Sequence, residues 1–244
     1  MRKFLGYILS PFATIAFFLV LLIFHPVQWL SYKLGGYAAH KRVVDIMNFF
    51  LTSTVYILCN TVTFINKQHL PEGRSIIFLA NHQSMLDIPP LIWHLRKYHA
   101  KFISKIELTK GIPSISFNLK HGGGANIDRQ DRRQSISELS KFGTRMKENK
   151  WSTVIFPEGT RSATGQLKPF HVGGIATILK KCPDALLVPI AIKNSWQMVR
   201  YGLYPLNTFT RMTWEVLEPI EPGDKPVEEL VQEAEDAVRK ALGQ

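Results

Sequence analysis

Residues 4–32 contain no Lys, Arg, Asp or Glu, and residues 14–24 are almost wholly apolar. A bilayer's hydrocarbon core of about 30 Å takes about 20 such residues as a helix, because backbone polar groups in lipid must be paired within the segment. Met1-Arg2-Lys3 gives the run a basic start. A cleaved signal peptide shares that start, but its apolar region is shorter, about 7–15 residues, and no small-residue cleavage site follows Phe24. The expectation is a retained membrane anchor with Arg2 and Lys3 on the cytoplasmic face, which in a bacterium is that of the inner membrane. Trp29 and Tyr32 suit the head-group level. A second uncharged run, residues 46–66, follows Lys33-Leu34-Gly35-Gly36 and Lys41-Arg42. It holds enough Asn, Ser and Thr to leave three readings open: a second span, an amphipathic interfacial helix, or a buried core helix.

The rest of the chain is long enough for one substantial domain. Residues 1–66 are therefore expected to be a helical anchoring segment and residues 67–244 a folded domain. The net charge of +11 calls for an acidic counterpart. No basic zipper, zinc finger or aromatic RNA platform is present, so nucleic acid is not expected. Cys59 and Cys182 form no CxxC pair, which argues against a disulfide scaffold and a structural zinc site. Among the basic residues, Lys97, Lys101, Lys110, Lys120, Arg132 and Arg133 suit an anionic lipid surface and an acidic donor.

Beyond residue 75, apolar runs alternate with helical patterns. Residues 75–80, 101–104, 152–156 and 185–192 read as strands, while 132–150, 173–181 and 227–242 read as helices. This alternation predicts an α/β fold, a central mostly parallel or mixed sheet flanked by helices.

Three polar segments follow or interrupt those strands. His82 and Asp87 lie in Asn81-His82-Gln83-Ser84-Met85-Leu86-Asp87. Five residues of continuous helix would separate their side chains by about 140°, so they meet only if His82 precedes the helix. A carboxylate on one ring nitrogen would then leave the other free to take a proton. A capping Asp near an unrelated His is the bland reading. Phe156-Pro157-Glu158-Gly159-Thr160-Arg161-Ser162 turns sharply after a strand, where α/β ligand sites form, or else is a surface turn with an ion pair. Gly122-Gly123-Gly124-Ala125-Asn126-Ile127-Asp128-Arg129 is a glycine-rich loop ending in a guanidinium, a group suited to phosphate.

In order and spacing, these segments resemble the glycerolipid acyltransferases with a His-x4-Asp motif, and within them the bacterial 1-acyl-sn-glycerol-3-phosphate acyltransferases. The Lys-x-Glu-Leu element is Lys105-Ile106-Glu107-Leu108, and the apolar Pro-containing strand is Leu187-Val188-Pro189-Ile190-Ala191-Ile192. Two positions depart from the pattern. Asn126 replaces a bulky hydrophobe, and His171 in Phe170-His171-Val172-Gly173 replaces a Lys. The resemblance implies that His82 is the general base and Asp87 its orienting carboxylate. It further implies that Lys105, Arg129, Glu158, Gly159 and Arg161 bind the acceptor. The implied acceptor is lysophosphatidic acid, acylated at the sn-2 hydroxyl to phosphatidic acid in phospholipid synthesis. The implied donor is acyl-CoA or acyl carrier protein, with no cofactor and no metal.

Other readings are weaker. His121-Gly122-Gly123-Gly124 mimics a lipase oxyanion loop, but no Gly-x-Ser-x-Gly elbow exists. His94 and His99 lack a third metal ligand at familiar spacing. A same-family enzyme for another lysolipid and a non-catalytic basic membrane binder remain as alternatives.

Overall fold

The computed structural model describes residues 2–244. Seven strands form one sheet: β1 (Thr61–Asn66), β2 (Ile76–Ala80), β3 (Ala100–Lys105), β4 (Ala125–Ile127), β5 (Ser152–Ile155), β6 (Leu186–Lys193) and β7 (Arg211–Val216). Their spatial order is β1-β7-β6-β2-β5-β3-β4, and every pairing is parallel except β6 with β7. The expected mixed α/β sheet is therefore present.

The helices are α1 (Arg2–Ser53), α2 (Ile88–His94), α3 (Ile115–His121), α4 (Arg132–Asn149), α5 (Gly173–Leu179), α6 (Ser195–Met198) and α7 (Val227–Leu242). Side chains alternate across β2, giving each sheet face its own core. Ile77 and Leu79 meet Phe142 and Met146 of α4, Ile175 of α5 and Val231 of α7. On the other face Ile76 and Phe78 meet Leu91 of α2, with Leu58 and Trp214. Burial on both faces is why β2, β5 and β6 read as unbroken apolar runs.

Helix α1 breaks at Gly36, whose φ of 62° and ψ of −155° are non-helical and suit glycine. Its two arms, residues 2–35 and 37–53, fold against each other. Leu21, Met47 and Leu51 form their shared core, and Gln28 contacts both His40 and Met47. The first arm contains a segment long and apolar enough to cross a membrane. Along it Gly6, Ser10, Ala13, Leu21 and Gln28 are buried, while Phe4, Phe12, Phe18 and Ile23 are exposed.

Two expectations are corrected. The uncharged run 46–66 is neither a second span nor a single helix. It closes α1, makes a 3-10 turn at Thr54–Leu58 and becomes β1, which pairs with β7. Thr61 and Thr63 alternate with Val62 and Phe64 on this edge strand, so the sheet starts before residue 67. Lys101 is no surface charge. It is 7% exposed, donates to the Tyr37 hydroxyl and lies 4.6 and 4.9 Å from the ring centres of Tyr37 and Trp151.

Candidate active site

In a parallel sheet, the loops after the strands gather at one edge. β2, β3, β4, β5 and β6 all run the same way, so that edge collects His82, Lys105, Arg129, the segment from Phe156 to Arg161, and Ser195. Asn81 marks where β2 leaves the ladder. Its side chain donates to the Ile192 carbonyl at 2.9 Å and accepts from the Ile192 amide at 2.6 Å.

His82 lies in the loop before the helical turn, as the five-residue spacing requires. Ser84 caps that turn, accepting from the Leu86 amide. The turn brings Asp87 back to His82, with Nδ1 and Oδ2 2.9 Å apart. Asp87 is fully buried. Its Oδ2 also accepts from the amides of Gln83 at 2.7 Å and Ser84 at 2.9 Å. Its Oδ1 accepts from the hydroxyls of Ser84 at 3.2 Å and Ser195 at 2.5 Å. A carboxylate surrounded by donors acts only as an acceptor, so Nδ1 carries the ring proton and Nε2 holds the free lone pair. The imidazole stacks on Phe156, centres 4.0 Å apart and planes 17° apart, which fixes the ring's remaining freedom.

Glu158 is not at the open site. It is 3% exposed, and both oxygens are taken by backbone amides: His82 N at 2.6 Å and Lys168 N at 3.1 Å. Burial pushes its carboxyl above the usual range, and those two amides pull it partly back. In this arrangement Glu158 holds the main chain of His82 in place. The Ser162 amide donates to the His82 carbonyl at 2.7 Å, tying the two segments together a second time.

Arg129 also has a structural partner, donating through Nη1 to the Gly159 carbonyl at 2.6 Å. Gly159 itself needs its glycine, with φ at +70°. Lys105 and Arg161 are exposed at the same edge, and neither side chain has a hydrogen-bond or ion-pair partner among the described residues. They are free to meet an anion. The backbone amide of His171 bonds the Pro157 carbonyl at 3.0 Å, and its ring lies against Gly159. Lys168 is the cation that reaches this turn, donating to the Thr160 hydroxyl and the Arg161 carbonyl.

The glycine-rich loop is closely packed. A Cβ on Gly124 would lie 2.6 Å from the Phe102 carbonyl oxygen, and Gly123 has φ of +82° against Trp151. His121 packs among Tyr32 and Phe117. His94 is stacked on Phe64, 4.3 Å between centres. Among the described residues no cluster of three potential metal ligands occurs.

Sequence reasoning missed Ser195. A polar residue two positions past a strand is common, and only the parallel pairing of β6 with β2 reveals that this one faces Asp87.

The segment from residue 61 to 193 matches the model of the acyltransferase family, and the chain belongs to that family. It is 30% identical over 182 residues to a 1-acyl-sn-glycerol-3-phosphate acyltransferase of Chlamydomonas reinhardtii, covering 74% of this chain and 53% of that one. It is 33% identical over 145 residues to one from Helicobacter pylori, covering 58% and 56%. The chain thus spans about half the length of the curated relatives it matches. The crystal structure of the 1-acyl-sn-glycerophosphate acyltransferase PlsC from Thermotoga maritima shares the fold, with a TM-score of 0.79 over 99% of this chain and 96% of that one at 22% identity.

Proposed function

We propose that this protein transfers an acyl group from an acyl thioester to the sn-2 hydroxyl of 1-acyl-sn-glycerol 3-phosphate, giving phosphatidic acid. The observation that carries the reading is His82, oriented by buried Asp87 with Nε2 free, at a strand edge that also presents unpaired cations. Relatives named for this reaction supply the substrate class.

Nε2 takes the acceptor hydroxyl proton as the oxygen attacks the thioester carbonyl. Asp87 stabilises the imidazolium that forms. The tetrahedral intermediate collapses with C–S cleavage, and the imidazolium returns its proton to the leaving thiolate. The acceptor is itself the nucleophile, so no acyl-enzyme and no cofactor enter the scheme. Arg161 and Lys105 hold the acceptor phosphate. The donor is acyl-CoA or acyl carrier protein, and the exposed apolar stripe of α1 anchors the enzyme at the cytoplasmic face.

The test is acceptor competition in detergent micelles. Phosphatidic acid should form from an acyl thioester and lysophosphatidic acid, and a neutral lysolipid should neither replace nor compete with the acceptor. Equal turnover of the neutral lysolipid would contradict the phosphate-binding assignment.

A further inference from the structure

The crossover from β3 to β4 carries Lys105 at its root, yet it has little core of its own. Among the described residues from Phe102 to Gly124, Ser114 alone is buried, with none of its surface exposed. The 3-10 turn at Ile106–Thr109 and helix α3 each bury no residue. A crossover in an α/β fold ordinarily lays an apolar face on the sheet. This one lies on the two arms of α1 instead. Ile115 packs against Leu21, Met47 and Leu51. Phe117 meets the rings of His25 on the first arm and His40 on the second, 6.2 and 5.5 Å between centres.

Ser114 is the point of deepest attachment, and its backbone is strained there. Its φ of 60° and ψ of −50° lie close to the rare form of γ-turn. The Ile115 amide donates to the Pro113 carbonyl at 2.6 Å, the bond between first and third residues that closes such a turn. A residue with a Cβ stays in this region only where its surroundings hold it. Two groups on the first arm of α1 do so, one helical turn apart. The Ser114 hydroxyl donates to the Leu21 carbonyl at 2.6 Å, and its amide donates to His25 Nδ1 at 3.0 Å.

From Ser114 the constraint runs back toward Lys105. Ser116 Oγ accepts from the Ile112 amide at 3.0 Å and donates to the Leu108 carbonyl at 2.9 Å. These bonds close the strap across Gly111, whose φ is +83°. Lys105 is the residue immediately before the 3-10 turn. Its main chain is therefore held on one side by pairing with Ile127 of β4, and on the other by a strap whose far end is fixed to α1.

We propose that Ser114 is a positioning residue for the acceptor. Its bonds to Leu21 and His25 set the course of the strap from Ile106 to Pro113 and, through it, the place of the Lys105 ammonium. The inference rests on the reading of Lys105 as a ligand of the acceptor phosphate, and it makes the first arm of α1 part of the acceptor site's framework.

The experiment measures acceptor KM, donor KM and thermal unfolding in the full-length wild type, Ser114→Gly, Lys105→Ala and the double variant. Glycine adopts the positive φ freely, so Ser114→Gly removes the hydroxyl bond without adding backbone strain. Ser114→Gly should raise acceptor KM about three- to tenfold, the effect of one neutral hydrogen bond, with donor KM as in the wild type. Lys105→Ala should raise acceptor KM at least about tenfold. The double variant should match Lys105→Ala alone, because an effect that acts through the Lys105 side chain disappears with it. An acceptor KM in Ser114→Gly equal to the wild type's, a rise shared by donor KM, or effects that multiply in the double variant would each overturn the inference. An unchanged acceptor KM in Lys105→Ala contradicts the phosphate-binding reading itself, and the inference falls with it.

Discussion

Ser195 donates its hydroxyl to Asp87 Oδ1 at 2.5 Å from a position 108 residues along the chain. It joins the end of β6 to the turn after β2, so the carboxylate behind the base is held from two separate strand ends. A hydrogen bond to a charged group contributes roughly 1.5–3 kcal/mol. Ser195→Ala should lower kcat by about 10–100-fold, an upper range if the full bond strength is felt at the base. KM should change little, because Ser195 acts through Asp87. Thr at this position should restore most of the rate. A loss of thermal stability with kcat unchanged would reduce Ser195 to a packing residue.

Glu158 offers a different test, because both its oxygens accept from backbone amides. Glu158→Gln presents an NH2 to one of those amides, leaving a buried donor unpaired at a cost of about 1–3 kcal/mol. Thermal unfolding should fall by several degrees together with kcat. If Glu158 instead touched the acceptor, KM would rise while the unfolding temperature stayed put.

The two arginines should separate cleanly. Arg161→Ala removes a cation with no protein partner and should raise acceptor KM at least tenfold while leaving thermal stability alone, as loss of a charge-assisted phosphate contact requires. Arg129→Ala also releases the Gly159 carbonyl, so stability, kcat and KM should all suffer. Identical outcomes for the two variants would show that the Arg129–Gly159 bond does not organise the turn.

Lys101 predicts a pH dependence of stability. Burial, with Lys41 nearby, lowers its ammonium from the usual range to about 7. A group whose folded pKa is depressed loses stability as pH falls through the window between its unfolded and folded values, here from about 10.4 to about 7. The unfolding temperature should therefore rise from pH 7 toward pH 10. Lys101→Met should remove that rise, and an unchanged slope in the variant would refute the assignment.

The strands packed on both faces were legible because continuous burial leaves an unbroken apolar run, as in Ile76–Ala80. Edge strands were not. β1 alternates Thr with apolar residues inside an uncharged run, and β4 is three residues long, so neither offers a period to read. The His82–Asp87 pairing was legible because the spacing demands a turn and Ser84 supplies its cap. The backbone partners of Glu158 were not legible, because sequence does not show which backbone amides will be left unpaired nearby. Tyr37, the hydrogen-bond partner of Lys101, lies just past the Gly36 break, 64 residues away, where no local pattern reaches.

The central claim is that His82 Nε2 removes the acceptor proton. It is tested most directly by thiol release from an acyl thioester, with and without lysophosphatidic acid, in the wild-type chain and in His82→Ala. The account predicts acceptor-dependent release in the wild type and a loss of about 10²–10⁴-fold or more in the variant, with folding unchanged. Acceptor-dependent release that survives in His82→Ala would contradict it.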